Sequence, residues 1–122
     1  MSVILVTGSN AGIGRATALA LARAGHTVYA SMRNLDRGAD LAAAAARENL
    51  PVHLCVMDVD SDASVENCFA ALRASGVEID VLINNAGIEK HGAIEELPLD
   101  EIRAVMETNY FGAIRCIQQV VG

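Results

Sequence analysis

The sequence has little of what several classes of protein require. Its 122 residues include no tryptophan, one lysine (Lys90) and three cysteines, with no Cys-x-x-Cys pair. The net charge is −6 and no basic run occurs, so nucleic-acid binding is not expected. Neither the cysteines nor the histidines have metal-ligand spacing, so we expect no metal and reduced thiols in a cytoplasmic protein.

Long apolar runs are absent as well. The apolar stretch 3–6 at the N-terminus is too short for a signal peptide, and nothing approaches the length of a membrane span, so no membrane partner is expected. What is present is a composition with 52% hydrophobic and 20% charged residues, which is typical of a folded globular chain. Without a repeat or a linker, residues 1–122 are predicted to form a single domain.

Strand patterns alternate with helical patterns along the chain. Strands are predicted at 3–6, 27–31, 52–57 and 79–83, and helices at 12–24, 36–49, 62–75 and from Pro98 to the end. Strands joined by helices pair in parallel through right-handed crossovers. The predicted fold is therefore α/β, a Rossmann-like doubly wound parallel sheet that is truncated after the fourth strand and its following helix. That last helix is predicted to carry an apolar face made of Ile102, Met106, Ala113, Ile117 and Val120.

A glycine-rich turn follows the first strand and reads Thr7-Gly8-Ser9-Asn10-Ala11-Gly12-Ile13-Gly14. Glycines allow a tight turn and a close approach of phosphate, and the following helix offers its free N–H groups and the positive end of its dipole. No Gly-Lys-Ser/Thr closes the motif, so it is not a P-loop. A purely structural turn is the alternative, but the strand before it and the helix after it favour nucleotide binding.

The end of the second strand indicates which dinucleotide would bind. About 20 residues beyond the glycines, an acidic residue would accept bonds from the adenosine ribose. Here the chain reads Ala30-Ser31-Met32-Arg33-Asn34, without a carboxylate before Asp36. Arg33 can bind a 2′-phosphate instead, so NADP(H) is favoured over NAD(H). The alternative is that Arg33 is a solvated loop cation, and Arg37 is a second, weaker candidate.

Two motifs together resemble the short-chain dehydrogenase/reductase family. They are Thr7-Gly8-x-x-x-Gly12-x-Gly14 and Asn84-Asn85-Ala86-Gly87, and the resemblance extends from residue 2 to residue 122. It implies an oxidoreductase that transfers hydride between a nicotinamide cofactor and a small-molecule carbonyl or alcohol substrate. It also implies a homo-oligomer that pairs through the C-terminal helix.

The resemblance also implies roles for individual residues. Gly8, Gly12, Ile13 and Gly14 would line the pyrophosphate turn, with Ser9 and Asn10 between them. Met32 would take the place of the acid of NAD-preferring members, with Arg33 beside it. The adenine would lie between Asp58 and Val59, and the ribose on the nicotinamide side against Asn85, Ala86 and Gly87. Asn109 would be the catalytic asparagine, although a polar residue satisfying its own helix is the simpler reading of that residue alone.

The family's catalytic Tyr-x-x-x-Lys and its serine have no counterpart in this sequence. Only two tyrosines occur, Tyr29 and Tyr110, and they are followed four residues later by Arg33 and Ile114. We therefore expect these residues to be a cofactor-binding half that cannot catalyse the family's reaction alone. A non-catalytic dinucleotide-binding module or an inactive fragment is the alternative. In the loop after Gly87, His91 could touch substrate, although a solvated loop residue is the simpler interpretation.

Overall fold

The computed structural model describes residues 1–87 and 95–121. Its centre is a four-stranded sheet in the order β3-β2-β1-β4, in which every neighbouring pair is parallel. The strands are β1 (Val3–Val6), β2 (Thr27–Met32), β3 (Val52–Val56) and β4 (Val81–Ile83). Leu5 lies opposite Tyr29 on one side and opposite Leu82 on the other. The predicted doubly wound α/β fold is confirmed.

Helices connect the strands and cover both faces of the sheet. They are α1 (Gly12–Arg23), a 3₁₀ turn (Leu35–Gly38), α2 (Ala39–Glu48), α3 (Asp62–Ala74), α4 (Leu99–Met106), a π-helical turn (Glu107–Phe111) and α5 (Gly112–Val121). None of the helices in the described parts of the chain is long and apolar enough to cross a membrane.

Two apolar layers hold these elements together, and alternation along the strands assigns each side chain to one layer. Ile4 and Val6 of β1 point into the layer beneath α1 and α2, where Leu41 is fully buried. Leu5 points into the opposite layer, beneath α3 and α5, together with Phe69 and Cys116. Because β1 is covered on both faces, its sequence is a continuous apolar run.

Local signals explain most of the element boundaries. Ser61 caps α3, since its hydroxyl accepts a hydrogen bond from the N–H of Ser64 at 3.1 Å. Asn49 ends α2 in the left-handed conformation, with a φ of 56°. The helix predicted at 36–49 begins instead as a 3₁₀ turn, because the side chain of Asn34 accepts the N–H of Asp36. β4 starts at Val81 rather than at 79, and the carboxylate of Asp80 accepts the N–H of Val3 at 2.8 Å.

The last helix differs most from its prediction. It is interrupted by the π-helical turn, and its buried residues are Thr108, Gly112 and Cys116. A Cβ atom on Gly112 would lie only 2.9 Å from Cγ2 of Val59, so glycine allows the helix to approach the loop after β3 closely. The predicted apolar face is therefore divided between core and surface: Val120 packs against the layer that contains Phe69 and Cys116, whereas Met106 and Ile117 are 46% and 45% exposed.

Candidate functional site

A cleft of about 680 Å³ opens at the carboxyl ends of the four strands. The chain leaves β1 towards α1 on one face of the sheet and β3 towards α3 on the other, and the strand order reverses between β1 and β4. Open α/β sheets bind their ligands at such a point. The turn after β1 and the segments after β2, β3 and β4 all contribute to the cleft. Its lining residues are Gly8, Asn10, Ala11, Met32, Arg33, Asn34, Arg37, Met57, Val59, Asn85, Ala86 and Gly87.

The N-terminus of α1 lies beside this cleft without a side-chain cap. Ala11, the residue before the helix, is extended, and neither a capping side chain nor an acidic residue occupies the first turn. The first-turn N–H groups and the positive end of the helix dipole are therefore left for an anion. By contrast, α3 is capped by Ser61 and carries Asp62 in its first turn. Of these two helices, only α1 begins in a way that suits a phosphate group.

Glycine is required where the turn meets β4. Gly8 has a φ of +63°, and a Cβ atom on it would lie 2.8 Å from Cα of Ala86. A Cβ atom on Gly14 would lie 2.5 Å from Nδ2 of Asn85. Both substitutions would push the turn away from the segment after β4. The two glycines thus keep the backbone of the turn against the Asn-Asn-Ala-Gly segment.

Thr7 and Asn85 join the two segments by hydrogen bonds. The buried hydroxyl of Thr7 accepts the N–H groups of both Asn85 and Ala86, each at 3.0 Å. The side-chain amide of Asn85 donates in turn to the carbonyl oxygen of Gly8 at 3.0 Å. Sequence reasoning included Thr7 in the motif but gave it no role. In the sequence, the importance of Thr7 is indicated by its position directly before the first glycine of the motif.

The other predicted residues of the turn take different places. Asn10 lines the cleft, and the side chain of Ile13 is 79% exposed in the first turn of α1. Ser9 is fully buried, and its hydroxyl donates to the carbonyl oxygen of Val6 at 2.5 Å. Its N–H donates to the carbonyl oxygen of Ser31 at 3.1 Å. Ser9 therefore secures the turn from inside.

The segments after β2 and β3 form the other end of the cleft. Arg33 is 69% exposed, and its guanidinium group contacts Asp58 Oδ1 at 3.4 Å and Asp60 Oδ2 at 3.0 Å. Arg33 is thus an exposed cation that two carboxylates already hold. Val59 lines the cleft between these two aspartates. The sequence placed Asp58 at this end of the site but gave no indication of the contact between Asp60 and Arg33.

Asn109 belongs to the π-helical turn and lies beside the end of β4. A Cβ atom on Gly87 would lie 3.0 Å from Oδ1 of Asn109, so the two residues are in close proximity. The structure therefore brings Asn109 to the side of the cleft lined by Asn85, Ala86 and Gly87. His91, the other residue considered on this side, lies outside the described residues.

The three thiols share the apolar layer beneath α3 and α5. All are free: Cys68 and Cys116 are buried, and Cys55 is partly buried against the same layer. The thiol of Cys55 donates to the carbonyl oxygen of Ala30 at 3.7 Å. Its interaction with the neighbouring thiol of Cys68, together with burial, raises the pKa of Cys55, and the same interaction lowers the pKa of Cys68. Burial raises the pKa of Cys116 to about 11. Among residues 1–87 and 95–121, no group of histidine, cysteine and acidic side chains could hold a metal ion.

Curated proteins of similar sequence are oxidoreductases longer than this chain. Retinol dehydrogenase 8 of Bos taurus is 40% identical over 123 residues, covering 97% of this chain and 38% of its own length. The 3-ketodihydrosphingosine reductase of Bacteroides thetaiotaomicron is 33% identical, covering 98% and 40%. The chain thus spans about two fifths of the length of these relatives.

Solved structures of oxidoreductases also resemble this fold closely. A gluconate 5-dehydrogenase from Burkholderia cenocepacia, in complex with NADP and tartrate, superposes with a TM-score of 0.90 at 32% identity, covering 98% of this chain and 47% of that one. An actinorhodin polyketide ketoreductase with NADPH gives 0.91 at 32% identity, with coverage of 98% and 46%. The model of the family described as short chain dehydrogenase matches residues 2–122. The chain therefore belongs to the short-chain dehydrogenase family.

Proposed function

We propose that this chain is the cofactor-binding half of an NADP(H)-dependent oxidoreductase that acts on a small-molecule carbonyl or alcohol. The observation that carries the proposal is a single cleft with two anion-binding features at different places. One is the uncapped N-terminus of α1, and the other is the guanidinium group of Arg33. A dinucleotide with a 2′-phosphate carries negative charge that suits both features.

The pyrophosphate is assigned to the turn between β1 and α1. Gly8 and Gly12 allow the backbone to approach it, and Asn10 borders the same space. Free N–H groups of the first turn, from Gly12 through Gly14, would donate to phosphate oxygens. Ile13 would cover the ligand with its exposed side chain, while Ser9 acts indirectly by holding the turn.

The adenosine is assigned to the other end of the cleft. Met32 and Val59 line the cleft there with apolar side chains, which suits an adenine ring, and Asp58 directly precedes Val59. Arg33 would contact the 2′-phosphate, and Arg37 lines the same region. Support also comes from the two similar structures that were solved with NADP and NADPH.

The nicotinamide is assigned to the end of β4. Asn85, Ala86 and Gly87 would contact its ribose, and Asn109 stands next to Gly87 as the proposed catalytic asparagine. When bound, the cofactor supplies the hydride-transfer chemistry. The residues described here bind and orient it, and proton transfer to the substrate requires groups that the family carries beyond the last helix.

Pairing through the C-terminal helix remains part of the proposal. The helical segment from α4 to α5 exposes several large apolar side chains: Met106, Tyr110, Phe111, Ile117 and Val121. Exposed apolar surface of this kind is typical of contacts with other protein surfaces. A second copy of the chain would cover these residues in the proposed homo-oligomer.

A titration with NADPH and NADH tests the proposal. The full-length protein is titrated at low salt while cofactor fluorescence is followed. The wild-type protein is expected to bind NADPH more tightly than NADH. Arg33→Ala should lower the affinity for NADPH by about ten- to a hundredfold and should have little effect on the affinity for NADH. Arg47→Ala, which removes an exposed arginine on α2 outside the cleft, is the matched control.

Three results would change the assignment. Equal or tighter binding of NADH would overturn the cofactor preference. Binding without reduction of any carbonyl substrate by the full-length protein would favour a non-catalytic dinucleotide-binding module. Failure to bind either cofactor would remove the proposed function altogether.

A further inference from the structure

A single carboxylate, that of Asp60, connects the two ends of the cleft. Its Oδ2 atom lies 3.0 Å from Nη2 of Arg33, at the end assigned to the adenosine. Its Oδ1 atom accepts a hydrogen bond from the hydroxyl of Thr108 at 2.6 Å. Thr108 is buried in the π-helical turn and directly precedes Asn109. Asp60 therefore holds the proposed phosphate-binding arginine and the segment that carries the proposed catalytic asparagine.

The backbone that carries this carboxylate is held by hydrogen bonds within its own loop. The N–H of Asp60 donates to Oδ1 of Asp58 at 3.0 Å, and the N–H of Asp58 donates to the hydroxyl of Ser64 at 2.8 Å. Asp60 is less exposed than Arg33, with a side-chain exposure of 29% against 69%. The arginine is thus the more exposed partner of the pair, and the acid is the one whose second oxygen is already hydrogen-bonded to Thr108.

The charges in direct contact with one another at Arg33 are unfavourable for a 2′-phosphate. Arg33 contributes one positive charge, and the two aspartates that contact it contribute two negative charges. A phosphate that reaches Arg33 has to compete with a carboxylate at hydrogen-bond distance and then lies near that same carboxylate. Exposed ion pairs are weak, so the competition lowers the affinity for phosphate without preventing binding.

We propose that Asp60 is a specificity-determining residue that weakens the preference for NADP(H) by competing with the 2′-phosphate for Arg33. The inference rests on the proposed function, because it requires Arg33 to be the contact of that phosphate. A cofactor without the 2′-phosphate leaves the pair of Arg33 and Asp60 intact. Asp60 therefore acts on the difference between the two cofactors and not on dinucleotide binding in general.

Two substitutions separate this role from the structural role of Asp60. Asp60→Asn keeps an oxygen that can accept the Thr108 hydroxyl but removes the charge that holds Arg33. Thr108→Val removes the hydroxyl contact and leaves the charges at Arg33 unchanged. Asp58→Asn removes the charge of the carboxylate that makes the longer contact, and it provides an independent variant with the same expected direction and a smaller effect.

The experiment titrates the full-length protein and these variants with NADPH and with NADH. Asp60→Asn is expected to raise the affinity for NADPH by about three- to tenfold, while the affinity for NADH changes by no more than about twofold. Thr108→Val should leave the ratio of the two affinities unchanged, because a structural loss affects both cofactors. In an Arg33→Ala background, the gain from Asp60→Asn should disappear.

The outcomes distinguish failure of the inference about Asp60 from failure of the proposed function. An unchanged or lower NADPH-to-NADH affinity ratio in both Asp60→Asn and Asp58→Asn would overturn the inference while leaving the proposed function in place. An equal gain in the Arg33→Ala background would show that Arg33 is not the shared partner, which also overturns it. Absence of binding in the wild-type protein would instead overturn the proposed function and the inference with it.

Discussion

The side chain of Asn85 donates a hydrogen bond to the carbonyl oxygen of Gly8 at 3.0 Å, across a separation of 77 residues. The adjacent Thr7 completes the connection by accepting two N–H groups from the segment after β4. The first and last strands of the chain are thereby fixed to each other at the floor of the cleft. The geometry of the glycine turn consequently depends on a segment that follows it by three helices.

Replacement of Thr7 by valine tests this connection. The substitution keeps the side chain's shape but leaves the N–H groups of Asn85 and Ala86 without their acceptor. We expect the free energy of unfolding to fall by about 1–3 kcal/mol, because buried N–H groups lose their hydrogen bonds. Denaturant unfolding of the full-length protein measures it. Thr7→Ser keeps the hydroxyl, so its free energy of unfolding should fall clearly less than that of Thr7→Val. An equal fall in the two variants would contradict the role of the hydroxyl.

Gly8 and Gly12 form a matched pair for the turn itself. Both have a positive φ, +63° and +56°, but a Cβ atom on Gly8 meets Ala86 whereas one on Gly12 has no neighbour within 4 Å. Gly12→Ala should cost about 1–2 kcal/mol from backbone conformation alone. Gly8→Ala adds overlap with the backbone of Ala86, so its unfolding free energy should fall by at least about 1 kcal/mol more. Equal costs would show that the close approach to β4 contributes nothing.

Cys116 predicts a dependence of stability on pH. Its thiol has a pKa of about 11 in the folded protein, raised mainly by burial. An unfolded chain has a thiol pKa of about 8.5, so the folded state holds the proton more tightly between these values. The contribution is complete below pH about 8.5 and is lost, by about 3 kcal/mol, as pH rises through 11.

The measurement compares unfolding free energies of the wild-type protein and Cys116→Ala at several pH values. The variant is less stable at neutral pH because it leaves a cavity. The difference between the two proteins should shrink between pH about 8.5 and the upper end of the range. A difference that stays constant with pH would contradict the raised pKa of this thiol.

Arg115 fixes α5 to the loop after β3. Its guanidinium group pairs with Asp62 and Glu107 and donates to the carbonyl oxygen of Val59 at 2.9 Å. Arg115→Met should lower the unfolding free energy by about 1–3 kcal/mol, since the contacts are charge-assisted and the side chain is largely covered. Arg115→Lys should recover only part of this, because an ammonium group cannot reach three partners in a fork.

Arg103 supplies the control on the same helical segment. It is exposed on α4, so Arg103→Met should change the unfolding free energy by no more than about 0.5 kcal/mol. Thermal or denaturant unfolding compares the three variants under one set of conditions. Losses of equal size at the two arginines would indicate that the network of Arg115 does not stabilise α5.

Sequence patterns were most informative where a signal is local. The alternation of apolar runs and helical segments predicted all four strands and their parallel pairing, because strands joined by helical connections pair in parallel. The caps at Ser61 and Asn49 and the uncapped start at Ala11 depend on neighbouring residues alone. The turn after β1 and the segment after β4 were likewise recognised from their own residues.

Contacts between distant residues could not be predicted in the same way. The periodicity of the last helix indicated a continuous stripe, but the π-helical turn and the close approach of Gly112 to Val59 place other residues towards the sheet. The sequence around Arg33 does not predict its contact with the carboxylate of Asp60, which lies 27 residues away in the chain. The proximity of Cys55 to Cys68 is also a product of the packing of α3 on β3.

The sequence by itself determined the order of elements, the doubly wound sheet and the two motifs that place the chain in its family. These depend on period, propensity and short-range turn chemistry, which act within a few residues. Only the tertiary structure decided that Thr7 and Asn85 join the strand ends, and that Asp60 lies between Arg33 and Thr108. Such relationships arise when strands and helices pack, because packing selects partners by distance in space and not by distance along the chain.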